Sequence, residues 1–152
     1  MLMRAAALTL PLVLAACATN PPSRSGRGPA FDKATEYARA VGVRPSLAHL
    51  VVRRESGGSY SAKNPRSSAS GPMQVIDSTA AAIAGRPVSR RERMSNVGLK
   101  LGIAYLKLCQ DALPKASDHS IWVRCYVAGH GNVSDGDITP ATTAFKTLEK
   151  HP

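Results

Sequence analysis

Residues 47–75 read LAHLVVRRESGGSYSAKNPRSSASGPMQV, and their reading decides the fold. An apolar helical pattern, opened by Pro45, runs into a lone acid, Glu55, and stops at Ser56, Gly57 and Gly58. Proline suits a first helical turn, where its missing N–H would have no partner anyway. Glycine suits the exit, because it takes the left-handed conformation that ends a helix. Leu47, Leu50, Val51 and Arg54 fall on one side of the predicted helix. Glu55 then faces the negative end of the helix dipole, which disfavours its ionised form. Partial burial would raise its pKa further, and a carboxyl that keeps its proton near neutrality suits a general acid. Arg53 and Arg54 oppose this wherever they face the carboxyl, so the sequence leaves the balance open.

Outward from this stretch the chain reads as helices. A first helix is expected over 31–42, with Asp32 at its N-cap and Gly42 as its stop. Residues 56–71 carry many Ser and Gly with Asn64 and Pro65, which gives a loop or a short hairpin. Asp77 or Ser78 caps a short helix over 79–84, ended by Gly85. Residues 86–95 are basic and irregular. The longest periodic segment is 96–113, where Val97, Leu101, Ala104, Tyr105 and Leu108 keep helical spacing and Pro114 stops the run. Helices over 118–128 and 140–149 follow, separated by a turn-rich segment from Gly129 to Gly136. No strand of any length and no internal repeat is visible.

Composition agrees with this pattern. The 152 residues are 43% hydrophobic but only 5% aromatic, so the core is aliphatic and alanine-rich, which favours packed helices. The expected fold class is mainly α: a compact bundle of about five to six helices with an irregular loop after the Glu55 helix. The formal charge is +10. Nucleic acid is one partner of so basic a chain, but the N-terminus argues for a different compartment.

Met1 to Arg4 is short and positive, and Ala5 to Ala16 is apolar and ends in small residues. Such a run is too short to span a membrane and fits a secretory leader. Leu14-Ala15-Ala16-Cys17 resembles the lipobox of bacterial lipoproteins, which implies cleavage before Cys17 and lipidation of its thiol. Several acyl chains on one residue hold a protein at a membrane where one does not. The division expected is a leader over 1–16, a lipidated cysteine and flexible tether over 17–30, and one domain over 31–150. Ala18 after the cysteine implies sorting to the periplasmic face of the outer membrane, the inner membrane being the alternative. A secreted protein of this kind is expected to meet no nucleic acid. Anionic headgroups or the carboxylates of peptidoglycan stem peptides suit its charge better. With Cys17 lipidated, Cys109 and Cys125 remain; in an oxidising compartment they form a disulfide, or else pack as two buried thiols.

The order of short motifs after Glu55 gives a sharper reading. Glu55-Ser56, Ser68-x-x-Gly71, Gly71-Pro72-Met73-Gln74 and Thr79-Ala80 together resemble the lytic transglycosylases related to the soluble lytic murein transglycosylases, whose fold is lysozyme-like. Gly102-x-x-Tyr105-Leu106 and Tyr126-Val127-Ala128-Gly129-His130-Gly131 resemble two further family blocks. Two departures stand out. The family usually has Asn where Gly98 stands, with Asn96 two residues earlier, and Asn where Val127 stands. The resemblance covers about residues 32–148.

The resemblance implies that Glu55 is a single acid/base. It would protonate the bridging oxygen between N-acetylmuramic acid and N-acetylglucosamine, then take the proton of the muramoyl C6 hydroxyl as that oxygen closes a 1,6-anhydro ring. Intramolecular attack gains from proximity and needs no second carboxyl, unlike most glycosidases. It also implies substrate-side roles: Ser56 orients the backbone at Glu55, Ser68 and Gln74 offer hydrogen bonds to the acid or to sugar amides, and Met73 floors the sugar site or packs in the core. Tyr126 bonds near Glu55 or stacks on sugar, Gly71 and Gly129 allow close backbone approach, and Tyr60 lines the cleft or is an exposed loop residue. No cofactor is expected, and no His pair has metal-ligand spacing. The expected partners are glycan strands, a membrane through Cys17 and an envelope-spanning secretion or conjugation machine. The competing readings are a lysozyme-type hydrolase of the same bond and a non-catalytic glycan-binding lipoprotein.

Overall fold

The computed structural model describes residues 28–114, 118–128 and 137–152. These form seven helices: α1 Pro29–Ala40, α2 Pro45–Ser56, α3 Asp77–Ala84, α4 Arg90–Arg93, α5 Asn96–Ala112, α6 His119–Ala128 and α7 Thr139–Glu149. The mainly helical reading holds, with one helix more than expected. The addition is α4, in the segment read as irregular. It rests on a capping box: the Ser89 Oγ accepts the Glu92 N–H while the Glu92 carboxylate accepts the Ser89 N–H.

Helix α5 is the axis of the bundle. Leu99, Leu101, Ile103, Ala104, Leu106 and Leu108 are all buried, so the helix is covered on nearly every side. It packs on α1, α3, α4, α6 and α7. Around it the core is built from small residues: Ala30, Ala34 and Ala38 of α1 and Ala48, Val51 and Val52 of α2 are buried. A disulfide joins Cys109 of α5 to Cys125 of α6 across a Cα–Cα distance of 5.8 Å.

Several local expectations are corrected. The first helix starts at Pro29 with Gly28 at its N-cap, so Asp32 lies in the first turn, where its charge suits the dipole, and caps nothing. The buried face of α2 is Leu47, Ala48, Val51 and Val52, while Leu50 is 41% exposed and Arg54 lies in solvent. Helix α3 starts at Asp77, and neither Asp77 nor Ser78 is its N-cap. The Asp77 N–H donates instead to Ser68 Oγ, 3.1 Å away across the loop. In the loop after α2 only isolated bridges form, Lys63 with Ser70 and Ser70 with Val75, in place of a hairpin.

Candidate active site

Helix α2 ends as its sequence dictates. Gly57 takes φ 64° and returns its N–H to the Arg53 carbonyl at 3.1 Å. Glu55 is thereby held in the last turn, half-buried. It opens on a cleft of about 270 Å³ between α2, the 74–76 segment, α3, α5 and α6. Gln74, Ile76, Thr79, Tyr105, Tyr126 and Val127 form most of its walls. Glu55 is the only carboxylate among the described residues that line it.

Burial pushes the Glu55 carboxyl above its ordinary value of 4.5, and the Arg54 guanidinium opposes this without overcoming it. The balance left open by the sequence therefore falls to desolvation, which shifts the carboxyl toward its acid form. Tyr126 is shifted in the same direction. Burial first, then the charge of Glu55, raises its hydroxyl well above 10. That hydroxyl donates to the Met73 carbonyl at 2.8 Å, and the ring lies 5.3 Å from that of Tyr105.

The other expected site residues divide into cleft wall and scaffold. Gln74 lines the cleft in an unusual backbone conformation, φ 50°. Its amide nitrogen donates to the Gly71 carbonyl at 2.8 Å and the Ala62 carbonyl at 3.3 Å, which holds a conformation that costs on the order of 1–3 kcal/mol. Ser56 lies behind Glu55: its hydroxyl donates to the Pro72 carbonyl at 2.8 Å and accepts the Gly58 N–H at 3.1 Å. It thus ties the helix end to the loop that carries Gln74. Ser68 does not line the cleft; its hydroxyl oxygen serves α3. Met73 is fully buried beneath Gly102, so it packs in the core and is not the floor of the cleft. Tyr60 does not line the cleft either, because its hydroxyl donates to Asn96 Oδ1 at 2.7 Å. Cys17 and Gly129 lie outside the described residues.

Gly71 does permit close approach. With φ +81°, it sits where a Cβ would fall 1.9 Å from the Arg93 carbonyl oxygen. A Cβ on Gly98 would fall 1.8 Å from the same oxygen. The carbonyl of Arg93 is wedged between two glycines, and its side chain, 2% exposed, reaches under the loop. The guanidinium donates to Ser70 Oγ at 3.2 Å, the Val88 carbonyl at 2.5 Å and the Ser68 carbonyl at 3.3 Å, and pairs with Asp77. Nothing in the sequence marked Arg93 among its basic neighbours. The one legible signal was Ser89-x-x-Glu92, the capping box that turns α4 and so aims residue 93. Ile76, a 39% exposed apolar side chain at the cleft, was also missed.

Among the described residues no three His, Cys, Asp or Glu side chains gather into a metal-binding group. The chemistry available is that of one carboxyl, its pKa raised by burial, beside tyrosines and an amide. No curated protein matches the chain. Residues 32–147 match the family model described as the Transglycosylase SLT domain, from α1 through α7. The chain belongs to this SLT transglycosylase family, whose members are lytic enzymes acting on peptidoglycan.

Proposed function

We propose that the protein is a lytic transglycosylase that cleaves the β-1,4 bond between N-acetylmuramic acid and N-acetylglucosamine and leaves 1,6-anhydro ends. The observation that carries this reading is a single half-buried carboxyl, Glu55, raised in pKa by desolvation and fixed at the wall of an open cleft. Protonated Glu55 donates to the glycosidic oxygen. The carboxylate it becomes accepts the proton of the C6 hydroxyl as that oxygen attacks C1 of its own sugar, so the net proton count is unchanged. No water and no second acid are consumed. Tyr126, its hydroxyl committed to the Met73 carbonyl, keeps the 73–74 backbone in register with α6.

The envelope setting belongs to the same reading. Cys17 carries lipid at the periplasmic face of the outer membrane, and the residues between it and α1, which begins at Pro29 and not at 31, tether the domain within reach of the wall. There the domain opens local gaps in the wall for an envelope-spanning machine. Product analysis tests the chemistry: digestion of murein gives anhydromuramoyl ends, and Glu55→Gln abolishes them. Reducing muramic ends would establish the hydrolase instead, and clearing that persists in Glu55→Gln would overturn the role of Glu55.

A further inference from the structure

Arg93 is the only charged side chain that is buried among the described residues, and it does not line the Glu55 cleft. Its Nε donates to the hydroxyl of Ser70, the other buried polar side chain. Nη1 donates to the Val88 carbonyl, and Nη2 serves both the Ser68 carbonyl and the Asp77 carboxylate. Ser68 and Asp77 are the two ends of one segment, which the Asp77 N–H closes by donating to Ser68 Oγ. Between them lie Gln74, Val75 and Ile76, which form one wall of the cleft. Within the segment the Ser70 N–H donates to the Val75 carbonyl at 3.4 Å. The Arg93 backbone meets the same segment at Gly71.

Burying a guanidinium is costly, and an apolar side chain of similar volume often leaves a fold as stable or more so. Stability alone therefore does not account for Arg93. What the guanidinium adds is direction: its planar fork fixes several acceptors at once, where an apolar side chain fixes none and lysine offers a single charged centre. Here the acceptors are both ends of the 68–77 segment and a hydroxyl inside it. We propose that Arg93 is a positioning residue: it clamps this segment at its base and so holds Gln74 in register with Glu55. Gln74 needs such support. Its backbone is strained at φ 50°, and its amide is held by the Gly71 and Ala62 carbonyls. Gly71 belongs to the clamped segment, and its N–H also donates to the Ala62 carbonyl at 2.9 Å. The proposal rests on the transglycosylase reading for the chemistry it serves, and names what keeps that site's wall in place.

The test is a double-mutant cycle on the full chain: wild type, Arg93→Met, Gln74→Ala and the pair. Each is assayed for release of soluble fragments from murein, at a temperature where urea unfolding shows all four folded. Arg93→Met is expected to lower the rate about a hundredfold, the cost of displacing a positioned group by about 1 Å. In the Gln74→Ala background the same change should lower it by no more than about twofold, the scatter of such cycles. Equal losses in both backgrounds, or wild-type rates in Arg93→Met or Gln74→Ala, overturn the proposal. Arg93→Lys keeps the charge and loses the fork, so a wild-type rate in that variant overturns it too. Should Arg93→Met fail to fold, Asp77→Asn takes its place in the cycle, because Asp77 is 65% exposed. Its expected loss is about fivefold, again absent without Gln74. A second readout needs no catalysis. The side-chain amide resonances of Gln74, identified by their loss in Gln74→Ala, should shift and exchange faster with solvent in Arg93→Met and Asp77→Asn. Resonances that stay in place overturn the positioning role even where activity falls. Resonances that move in a protein that makes no anhydromuramoyl ends sink the transglycosylase reading and keep Arg93 as the support of the wall.

Discussion

Replacing Gly98 by the family's usual Asn, a change that similarity alone would recommend, is expected to damage this protein. The first Cβ at position 98 meets the Arg93 carbonyl oxygen at 1.8 Å, its carbon at 2.7 Å and the Arg93 Cα at 3.0 Å. All three are backbone atoms in the α4–α5 turn, so no rotamer relieves the clash. An ordinary carbon–oxygen contact needs well over 3 Å, and the turn must move by more than about 1 Å. Overpacking of that kind costs about 1–3 kcal/mol, and this case belongs at the upper end because backbone must shift. The gain in helix propensity on leaving glycine returns up to about 1 kcal/mol. The net for Gly98→Ala is a loss of about 2 kcal/mol, or roughly 5–10 °C in Tm for a domain of this size. Asn, longer and a weaker helix former, loses more. Urea and thermal unfolding of wild type, Gly98→Ala and Gly98→Asn measure this. Activity falls beyond what unfolding explains, because the displaced carbonyl also touches Gly71, three residues before Gln74. A Gly98→Ala protein as stable as wild type would refute the claim that Arg93 is wedged between the two glycines.

Other substitutions probe separate parts of the scaffold. Glu55→Gln should raise the melting temperature at neutral pH and leave it unchanged at acid pH. A carboxyl whose folded pKa is raised costs the native state stability as pH rises from the unfolded pKa through the folded one, and an amide suffers no such loss. Activity in the wild type should decline as pH rises through the raised Glu55 pKa, and a rate that climbs over that range counts against an acid role. Tyr126→Phe removes the bond to the Met73 carbonyl and should cost about 1–3 kcal/mol, read by urea unfolding. Replacing Cys109 and Cys125 by Ser opens a loop 16 residues apart in sequence and should cost about 3 kcal/mol, with no change in cleavage product at temperatures where both proteins are folded.

The parts of the fold that local rules govern were legible. Pro45 and Gly57 bracketed α2, and periodicity located α5. Motif order placed Glu55 and Gln74 in one region, and the cleft brings them together. What local rules do not govern was not legible. Helix α2 turns Leu50 outward and Ala48 inward because α1 packs on it with small residues, a tertiary choice invisible in one amphipathic pattern. Ser68 looked like a partner for substrate because its motif is diagnostic, yet its oxygen caps α3 from nine residues away. Met73 was drawn toward the sugar by its neighbour Gln74. The reversal of direction between them follows from φ 50° at residue 74, and a sequence does not announce a non-glycine residue in that conformation.

The arginines before Glu55 find their place in the same geometry. An acid at a helix end beside two cations would ordinarily be stripped of its proton, and Arg54 does pull the Glu55 pKa downward. The pull is outweighed because a helix turns about 100° per residue. Adjacent side chains on α2 face different surroundings: Glu55 enters a space walled by Tyr105, Tyr126 and Ile76, while Arg54 stays in solvent along a neighbouring groove that Leu50, Val123, Arg124 and Val127 also line. Water screens the cation and is partly excluded from the acid. A cation one residue before Glu55 is thus compatible with a raised carboxyl pKa. It becomes incompatible if the guanidinium is drawn into the cleft. Moving the charge tests this directly: Val127→Arg, which places a guanidinium on the wall shared by cleft and groove, should lower the Glu55 pKa and shift the activity profile to lower pH, while Leu50→Arg, in the groove alone, should shift it less. Equal shifts from both variants would mean that the two spaces are electrically one, and the separation argued from α2 would fail.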